Sequence, residues 1–210
     1  MAKQRRKGRE KSLRPKIHIS CEGAKTEIDY LNILKDKFPL DTYGIRIIGQ
    51  NRNKSNPLNI LKYHEENIIK AGPKKNYLPN DIEVIILDRE EQNSRSLDEF
   101  EELIKWRDER KEKRLLIVNS KCFEFWLLCH FTDNPKCKST SEIMNSLRKI
   151  WPDYDKKLRH DISKEKIIDA SKRVKKLSSF EDILESEVCG SNMYELVDLL
   201  LELEKNESKA

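Results

Sequence analysis

The segment Ile82-Glu83-Val84-Ile85-Ile86-Leu87 is the strongest predicted β-strand in the chain. Its nearly continuous apolar run is typical of a strand that is covered on both faces, as in a parallel sheet with helices on either side. The run ends in Asp88-Arg89-Glu90-Glu91, so carboxylates follow it directly. We therefore place this strand at the centre of an α/β sheet, with acidic side chains at its carboxyl end.

Predicted strands and helices alternate on both sides of this segment. Three further strands are predicted from short β-branched or apolar runs, at residues 16–21, 44–48 and 115–118. Helical spacing of apolar residues predicts helices between them, one of which begins at Asn56-Pro57 and another at the Ser96/Glu99 capping box. This order predicts an α/β core over residues 16–120, with a mainly parallel sheet of about four strands flanked by helices.

The two ends of the chain are predicted to differ from this core. Residues 121–210 contain helical patterns without a convincing strand, which predicts a helical C-terminal part packed on the core. Residues 1–15 form a predicted basic disordered tail, and residues 1–16 together hold eight basic side chains and one acid. The rest of the chain carries a net charge of only −2, so the basicity belongs to the tail. Such a tail is either a solvated arm or a contact for nucleic acid.

Composition narrows the class of protein. The 210 residues suffice for one domain with a real core, and 38% of them are charged. No stretch approaches the roughly 20 consecutive apolar residues of a membrane-spanning helix, and the tail lacks the apolar core of a signal peptide. The five cysteines form no CxxC pair, and the four histidines lack metal-ligand spacing. A disulfide framework and a zinc site are therefore disfavoured, and we expect a cytoplasmic protein.

Acidic residues follow two of the predicted strands. Glu22 follows the first strand, and Asp88 and Glu90 follow the central one. In an open α/β sheet the ligand crevice lies outside the carboxyl ends of the strands, so these side chains are expected to meet there. Clustered carboxylates repel one another unless a cation or protons neutralise them, and hard oxygen ligands favour Mg²⁺ or Mn²⁺. The alternative is that they are solvated loop acids.

Glu124 is a lone carboxylate in an apolar setting. It lies within residues 122–131, which are apolar almost all the way round a helix and are therefore expected to be buried. An uncompensated buried carboxylate is costly, so Glu124 should have a basic or metal partner or be protonated. The alternative is a structural hydrogen bond, or an ion pair with Lys121.

The segment Gly23-Ala24-Lys25-Thr26 lies between a strand and a helix, as a phosphate-binding loop would. A P-loop needs an earlier glycine and an adjacent Gly-Lys pair, and this sequence has neither. A nucleotide-hydrolysing P-loop is therefore disfavoured. The start of the helix beside Lys25 remains a possible contact for the phosphate of another ligand.

Five segments resemble the motifs of the RloB-like family and together span almost the whole chain after the tail. They are Cys21-Glu22-Gly23-Ala24-Lys25-Thr26-Glu27 with Tyr30, Leu87-Asp88-Arg89-Glu90-Glu91, Phe123 to Phe131, Tyr154-Asp155-Lys156, and Asn192 to Leu196. The first resembles a CEGxxTExxY signature and the third an FExWLLxHF block; these two are the more specific. The last two are short and weak.

The resemblance implies a toprim-like fold, in which a glutamate after the first strand and an Asp-x-Asp after a later strand gather around magnesium. Glu22 matches the glutamate and Asp88 the first aspartate. Glu90 stands in place of the second aspartate and departs from the family pattern by about one methylene. The resemblance also implies a role in antiviral defence of the abortive-infection kind, at restriction-modification loci and beside an RloA-like partner ATPase.

These observations lead to the hypothesis of a Mg²⁺-dependent nuclease that acts on DNA or RNA. Glu22, Asp88 and Glu90 are the expected catalytic and metal-binding residues, and Glu124 extends the metal shell. Three basic residues are candidate phosphate contacts, namely Lys25, Arg89 and Lys156. The rival hypothesis is a non-catalytic toprim-like module that docks a partner ATPase or nucleic acid. A phosphotransfer receiver fits the helical extension less well, and the oligomeric state stays open.

Overall fold

A computed structural model describes residues 14–23, 25–49, 56–69, 77–89, 97–152, 154–155, 158, 162–177, 179–185 and 188–209. These residues form four strands and eight helices. The strands are β1 (Lys16–Cys21), β2 (Gly44–Gly49), β3 (Ile82–Arg89) and β4 (Arg114–Ser120). The helices are α1 (Thr26–Lys37), α2 (Pro57–Ile69), α3 (Leu97–Asp108), α4 (Glu124–Leu128), α5 (Thr140–Ile150), α6 (Lys164–Val174), α7 (Phe180–Glu185) and α8 (Tyr194–Glu207).

The four strands form one parallel sheet in the order β2-β1-β3-β4. The sheet and its flanking helices confirm the predicted α/β architecture. β1 and β3 lie side by side at the centre, with Ile19 opposite Val84 and Cys21 opposite Ile86. The chain leaves β1 toward β2 and leaves β3 toward β4, so the connections diverge between the two central strands. In open α/β sheets, ligands bind outside the carboxyl ends of the strands at such a point of divergence.

β3 is longer than its apolar run predicted, because the ladder with β4 continues past Leu87. Asp88 pairs with Asn119 and Arg89 with Ser120. Asp88 therefore lies inside the sheet and not in a loop. The extension rests on backbone pairing with a distant segment, and local apolar patterning does not report such pairing.

Both faces of the sheet are covered by apolar side chains. One face packs against α1, α4, α5, α6 and α8 around the buried Trp126. The other packs against α2, α3 and α7 around Phe100 and Trp106. The near-continuous apolar run of β3 is explained by this double burial. Helices from the C-terminal part thus share both cores with the sheet, and α7 is a helix that the sequence did not predict.

The C-terminal part also lines the outer edge of β4. The Ser120 N–H donates to the Gly190 carbonyl over 2.8 Å, and the Asn192 N–H donates to the Val118 carbonyl over 3.3 Å. Between these bonds, Asn119 and Ser191 form an antiparallel bridge. Residues 190–192, which we call the edge segment, therefore cover backbone groups that an open sheet edge would expose.

A buried polar network lies on the face covered by α2 and α3. Its centre is the Glu83 carboxylate, which accepts hydrogen bonds from Tyr77 Oη at 2.8 Å and Arg110 Nη1 at 3.0 Å. His64 Nε2 lies 3.3 Å from the same carboxylate, and Ser20 Oγ lies 2.7 Å from His64 Nδ1. Ser20, His64 and Glu83 are all buried, so this Ser-His-Glu arrangement is closed to substrate and supports the fold.

None of the described helices combines the length and the apolar character required to cross a lipid bilayer.

Candidate functional site

Four acidic residues gather where β1 and β3 end. Glu22 follows β1, Asp88 is in β3, Glu27 is in the first turn of α1 and Glu124 begins α4. The charges of the three glutamates act on the Asp88 carboxyl group and raise its pKa. We call these four residues the acidic site. The structure thus brings together three of the predicted site residues and adds Glu27.

The Asp88 side chain is half-buried and has a fixed orientation. Its Oδ1 accepts a hydrogen bond from Asn119 Nδ2 at 3.0 Å, and its Oδ2 accepts one from the Phe123 N–H at 3.2 Å. Burial raises the pKa of Asp88 well above its ordinary value, and the nearby glutamates act in the same direction. The hydrogen bond from Asn119 lowers this pKa but does not offset the other effects. The ionised form of Asp88 therefore needs a positive charge nearby.

Glu22 is joined to β3 through the backbone. The Glu22 N–H donates to the Ile86 carbonyl over 3.1 Å, which continues the β1–β3 ladder by one residue. The Asp88 N–H in turn lies 3.4 Å from Glu22 Oε2 and donates to it. These contacts place the Glu22 carboxylate beside Asp88, and Glu22 is itself only half-buried. The sequence prediction that the two residues meet at the sheet edge agrees with this arrangement.

Glu27 is a member of the acidic site that the sequence reasoning missed. Its carboxylate lies against Gly23, and a Cβ added to Gly23 would overlap it. Glycine at position 23 therefore leaves room for the close approach of the Glu27 carboxylate to the backbone. The missed signal was positional, because Glu27 lies in the first turn of the helix that starts at the same sheet edge.

Glu124 is buried and accepts a hydrogen bond from a side chain 30 positions later in the sequence. Tyr154 Oη donates to Glu124 Oε1 over 3.1 Å, and Thr26 Oγ1 lies 3.4 Å from the same Tyr154 oxygen. Burial raises the pKa of Tyr154, and the charge of Glu124 raises it further, so the phenol stays protonated and donates. The sequence predicted for Glu124 either a basic or metal partner or a structural hydrogen bond. The structure shows the hydrogen bond, which comes from Tyr154. The role of Glu124 as a metal ligand stays a prediction.

Lys121 adopts a left-handed backbone conformation between β4 and α4, with φ of 77°. Such a conformation is uncommon for a residue with a side chain and persists only where its surroundings hold it. Here the Lys121 N–H donates to the Arg89 carbonyl over 2.8 Å. The resulting sharp turn carries the chain back toward β3, where the Phe123 N–H reaches Asp88. The backbone strain thus serves the geometry of the acidic site.

Two cysteines border the acidic site without being reactive. Burial raises the pKa of the Cys21 thiol, and the carboxylates of Glu27 and Asp88 raise it further. Burial likewise raises the pKa of Cys122, with Glu124 contributing in the same direction. Both thiols are therefore protonated at neutral pH. Since the thiolate is the nucleophilic form, neither is suited to covalent catalysis.

The predicted phosphate contacts occupy different positions. Lys25 Nζ lies 3.4 Å from the Asp155 carbonyl, near the site but engaged with backbone. Arg89 donates through Nε to the Leu184 carbonyl over 2.8 Å and lies over the Phe100 ring, which directs it to the opposite face of the sheet. Lys156 lies outside the described residues, as does the predicted metal ligand Glu90.

The donor set suits a hard divalent cation, since the acidic site offers only carboxylate oxygens and their mutual repulsion is relieved by positive charge. Within the described ranges, however, no group of three or more His, Cys, Asp or Glu side chains is arranged to hold a metal ion by itself. A complete metal site would therefore need additional oxygen ligands. Glu90, water molecules and a substrate phosphate are three sources of such oxygen ligands.

The comparisons with known proteins identify the family. A family model described as RloB-like protein matches residues 17–200. The chain belongs to the RloB-like family. The resemblance inferred from the sequence motifs is thus confirmed. The matched RloB-like region runs from β1 into α8 and includes the whole acidic site and the edge segment. The chain has no significant match among curated proteins or among solved structures.

Proposed function

We propose that this RloB-like chain is a metal-dependent nuclease that hydrolyses phosphodiester bonds in DNA or RNA, with Mg²⁺ or Mn²⁺ as cofactor. The observation that carries the proposal is the Asp88 carboxyl group, half-buried and fixed by two hydrogen bonds, whose pKa is raised by desolvation and by three surrounding glutamates where β1 and β3 end. Perturbed acids in such a crevice are typical of functional sites.

A divalent cation held by Glu22, Asp88 and Glu90 would stabilise negative charge on the scissile phosphate. The protein's own part is to hold the ligands in place. Asn119 and the Phe123 N–H fix the two oxygens of Asp88, and the Asp88 N–H fixes Glu22. Glu22, which is half-buried beside Asp88, either shares the cation in this way or orients and deprotonates the attacking water.

Glu124 and the basic residues have supporting roles in this proposal. Glu124, held by Tyr154, extends the set of carboxylates. Lys25 lies near the same end of the sheet, and we assign it to contact a substrate phosphate. We assign the same role to Lys156, which lies outside the described residues. Arg89, which donates to the Leu184 carbonyl, supports the fold instead.

The biological setting is proposed from the family resemblance. We assign to the chain the role of an antiviral effector of the abortive-infection kind, located in the cytoplasm and acting beside an RloA-like ATPase. The basic residues before β1 offer an additional, salt-sensitive contact with nucleic acid. Of these basic residues, Arg14 is the one that the described part of the chain includes.

One observation favours a second function, that of a non-catalytic module that docks an ATPase or nucleic acid. Both Asp88 oxygens accept hydrogen bonds from the protein, and the described acids do not by themselves form a metal-binding group. A structural role for the acidic site would satisfy both facts. The two functions differ in one measurable property, which is metal-dependent cleavage.

The decisive experiment incubates the full chain with mixed DNA and RNA substrates and Mg²⁺ or Mn²⁺. We expect cleavage by the wild type, loss of at least about 100-fold in Asp88→Ala, and a comparable loss in Glu22→Gln. The control is Asp133→Asn, which changes an exposed acid that is not part of the acidic site and that pairs with Arg173. Cleavage that persists in Asp88→Ala, or is absent in the wild type with and without the partner ATPase, would contradict the proposal.

A further inference from the structure

A chain of hydrogen bonds connects the acidic site to the edge segment in the C-terminal part. Ser191 Oγ donates to Asn119 Oδ1 over 2.7 Å, and Asn119 Nδ2 donates to Asp88 Oδ1 over 3.0 Å. Asn119 and Ser191 are completely buried. Water therefore does not substitute for either partner, and the orientation of each group depends on the next.

The donor and acceptor roles in this series of hydrogen bonds are determined at Ser191, the end farther from Asp88. Ser191 Oγ accepts a hydrogen bond from the Met193 N–H at 3.2 Å, so its own proton is directed to Asn119. The Asn119 carbonyl oxygen accepts that proton, which leaves the amide nitrogen to face Asp88. An amide turned the other way would place its oxygen against the Asp88 carboxylate, and two acceptors repel.

Ser191 is itself held rigidly against β4. The backbone bonds at Gly190 and Asn192 flank it on both sides. The Asn192 side chain adds two more contacts, since its Oδ1 accepts from the Val118 N–H at 2.6 Å and its Nδ2 donates to the Leu116 carbonyl over 2.8 Å. Asn119 and Ser191, which are 72 positions apart in the sequence, thus share one fixed geometry.

We infer that Asn119 and Ser191 are positioning residues of the acidic site, Asn119 acting on Asp88 directly and Ser191 acting through Asn119. The inference rests on the proposed metal-dependent function. A carboxylate oxygen that accepts one hydrogen bond retains a second lone pair, so Asp88 Oδ1 stays able to bind a cation while its orientation is fixed. Hydrogen-bond partners of metal ligands commonly change metal affinity by about 10- to 100-fold.

The test measures the dissociation constant for Mn²⁺ by the electron paramagnetic resonance signal of the free ion, with the full chain throughout. Asn119→Ala and Ser191→Ala are each expected to weaken Mn²⁺ binding by about 10-fold or more. The double variant is expected to bind no more weakly than Asn119→Ala alone, because Ser191 acts only through Asn119. Urea unfolding of every variant separates a change in stability from a change in the site.

Ser20→Ala is the matched control for Ser191→Ala. Ser20 is also a buried serine with a 2.7 Å side-chain hydrogen bond, but its partner is His64 on the opposite face of the sheet. Both variants should lose similar stability, whereas only Ser191→Ala should weaken Mn²⁺ binding. A purely structural role for Ser191 predicts the same Mn²⁺ affinity in both.

The outcomes separate the inference from the proposed function. If Asp88→Ala abolishes Mn²⁺ binding while Asn119→Ala and Ser191→Ala bind as the wild type does, the inference is overturned and the proposed function survives. If the wild type fails to bind Mn²⁺ both alone and with a nucleic acid present, or if Asp88→Ala binds it unchanged, the metal-dependent function fails and the inference fails with it. Weaker binding in Ser20→Ala equal to that in Ser191→Ala would also overturn the inference.

Discussion

The backbone N–H of Asp88 donates to the carboxylate of Glu22 across the two central strands, with 3.4 Å between the nitrogen and Oε2. This single contact connects the carboxyl end of β1 to that of β3, at the point where the chain connections diverge. The Glu22 carboxylate is thus held by the backbone of β3, the strand that carries Asp88. The crevice between these strands is where an α/β sheet offers a ligand site.

Asp88→Asn should raise the stability of the chain at neutral pH when divalent metal is removed. The pKa of Asp88 is raised in the folded state, so the carboxyl group favours folding below its unfolded pKa and loses that contribution as the pH rises through the folded pKa. The amide removes the repulsion, although its NH2 group replaces one of the two oxygens that accept from Asn119 Nδ2 and the Phe123 N–H. We expect a net gain of about 1 kcal/mol in the free energy of unfolding. Urea unfolding at pH 7 with a chelator measures it.

The gain from Asp88→Asn should disappear below about pH 4, where the carboxyl group is protonated in both the folded and the unfolded chain. Asp133→Asn, which changes an exposed carboxylate, should show no such gain at pH 7. A difference in stability between Asp88→Asn and the wild type that is the same at pH 7 and at pH 4 would show that the acidic site is not under electrostatic repulsion.

His130 should make the chain less stable as the pH falls from about 6.5 to about 4. Burial lowers its pKa to about 4, while Nδ1 is 2.9 Å from the Trp126 carbonyl and Nε2 is 3.0 Å from Tyr30 Oη. The stability associated with neutral His130 is full above the unfolded pKa and is lost as the pH falls through this window, to a total of about 3 kcal/mol.

The contribution of His130 is isolated by comparison with His130→Gln, which has no titrating ring. The variant should be less stable at pH 7, and the stability difference from the wild type should shrink toward pH 4. Urea unfolding at half-unit steps of pH measures this convergence. A constant difference between the two proteins across the window would contradict the shifted pKa.

Glu83→Ala should destabilise the fold by about 3 kcal/mol, because it leaves the buried polar network without its central acceptor. Although burial acts to raise the pKa of Glu83, the hydrogen bond with His64 and the charge of Arg114 hold it below the ordinary value. The ionised carboxylate is therefore the form that the network holds. Thermal and urea unfolding measure the loss, and cleavage or Mn²⁺ binding at 25 °C should stay near the wild-type value.

Gly23→Ala should weaken the acidic site with little change in stability. The new methyl group would overlap the Glu27 carboxylate, which must move because it is the flexible end of a side chain. We expect kcat/KM for cleavage to fall by about 10-fold or more. Gly44→Ala is the matched control, because a Cβ there meets no atom closer than 3.7 Å, and this variant should cleave at the wild-type rate.

Several features of the protein were accessible from local sequence. The apolar run 82–87 predicted a doubly covered strand, and the alternation of strands and helices predicted the parallel sheet. Glu22 and Asp88 were predicted to meet because parallel strands end at the same edge of a sheet. The family followed from the motifs. These successes rest on periodicity and on short-range order, which a single sequence carries.

Other features depended on contacts between distant segments. The edge segment pairs with β4 across about 70 residues, and only that pairing orients Ser191 toward Asn119 and Asn119 toward Asp88. Glu27 belongs to the acidic site because the first turn of α1 places its carboxylate against Gly23. Tyr154 donates to Glu124 from 30 positions later in the sequence.

The sequence by itself indicated where the four strands lie and which acids come near their carboxyl ends, because apolar periodicity and residue order are properties of the local sequence. The tertiary structure decided how those acids are held, ionised and oriented. Burial and the distances between side chains set the pKa of Asp88 and the direction of its hydrogen bonds, and both arise only when residues from β1, β3, β4 and the C-terminal part share one interior.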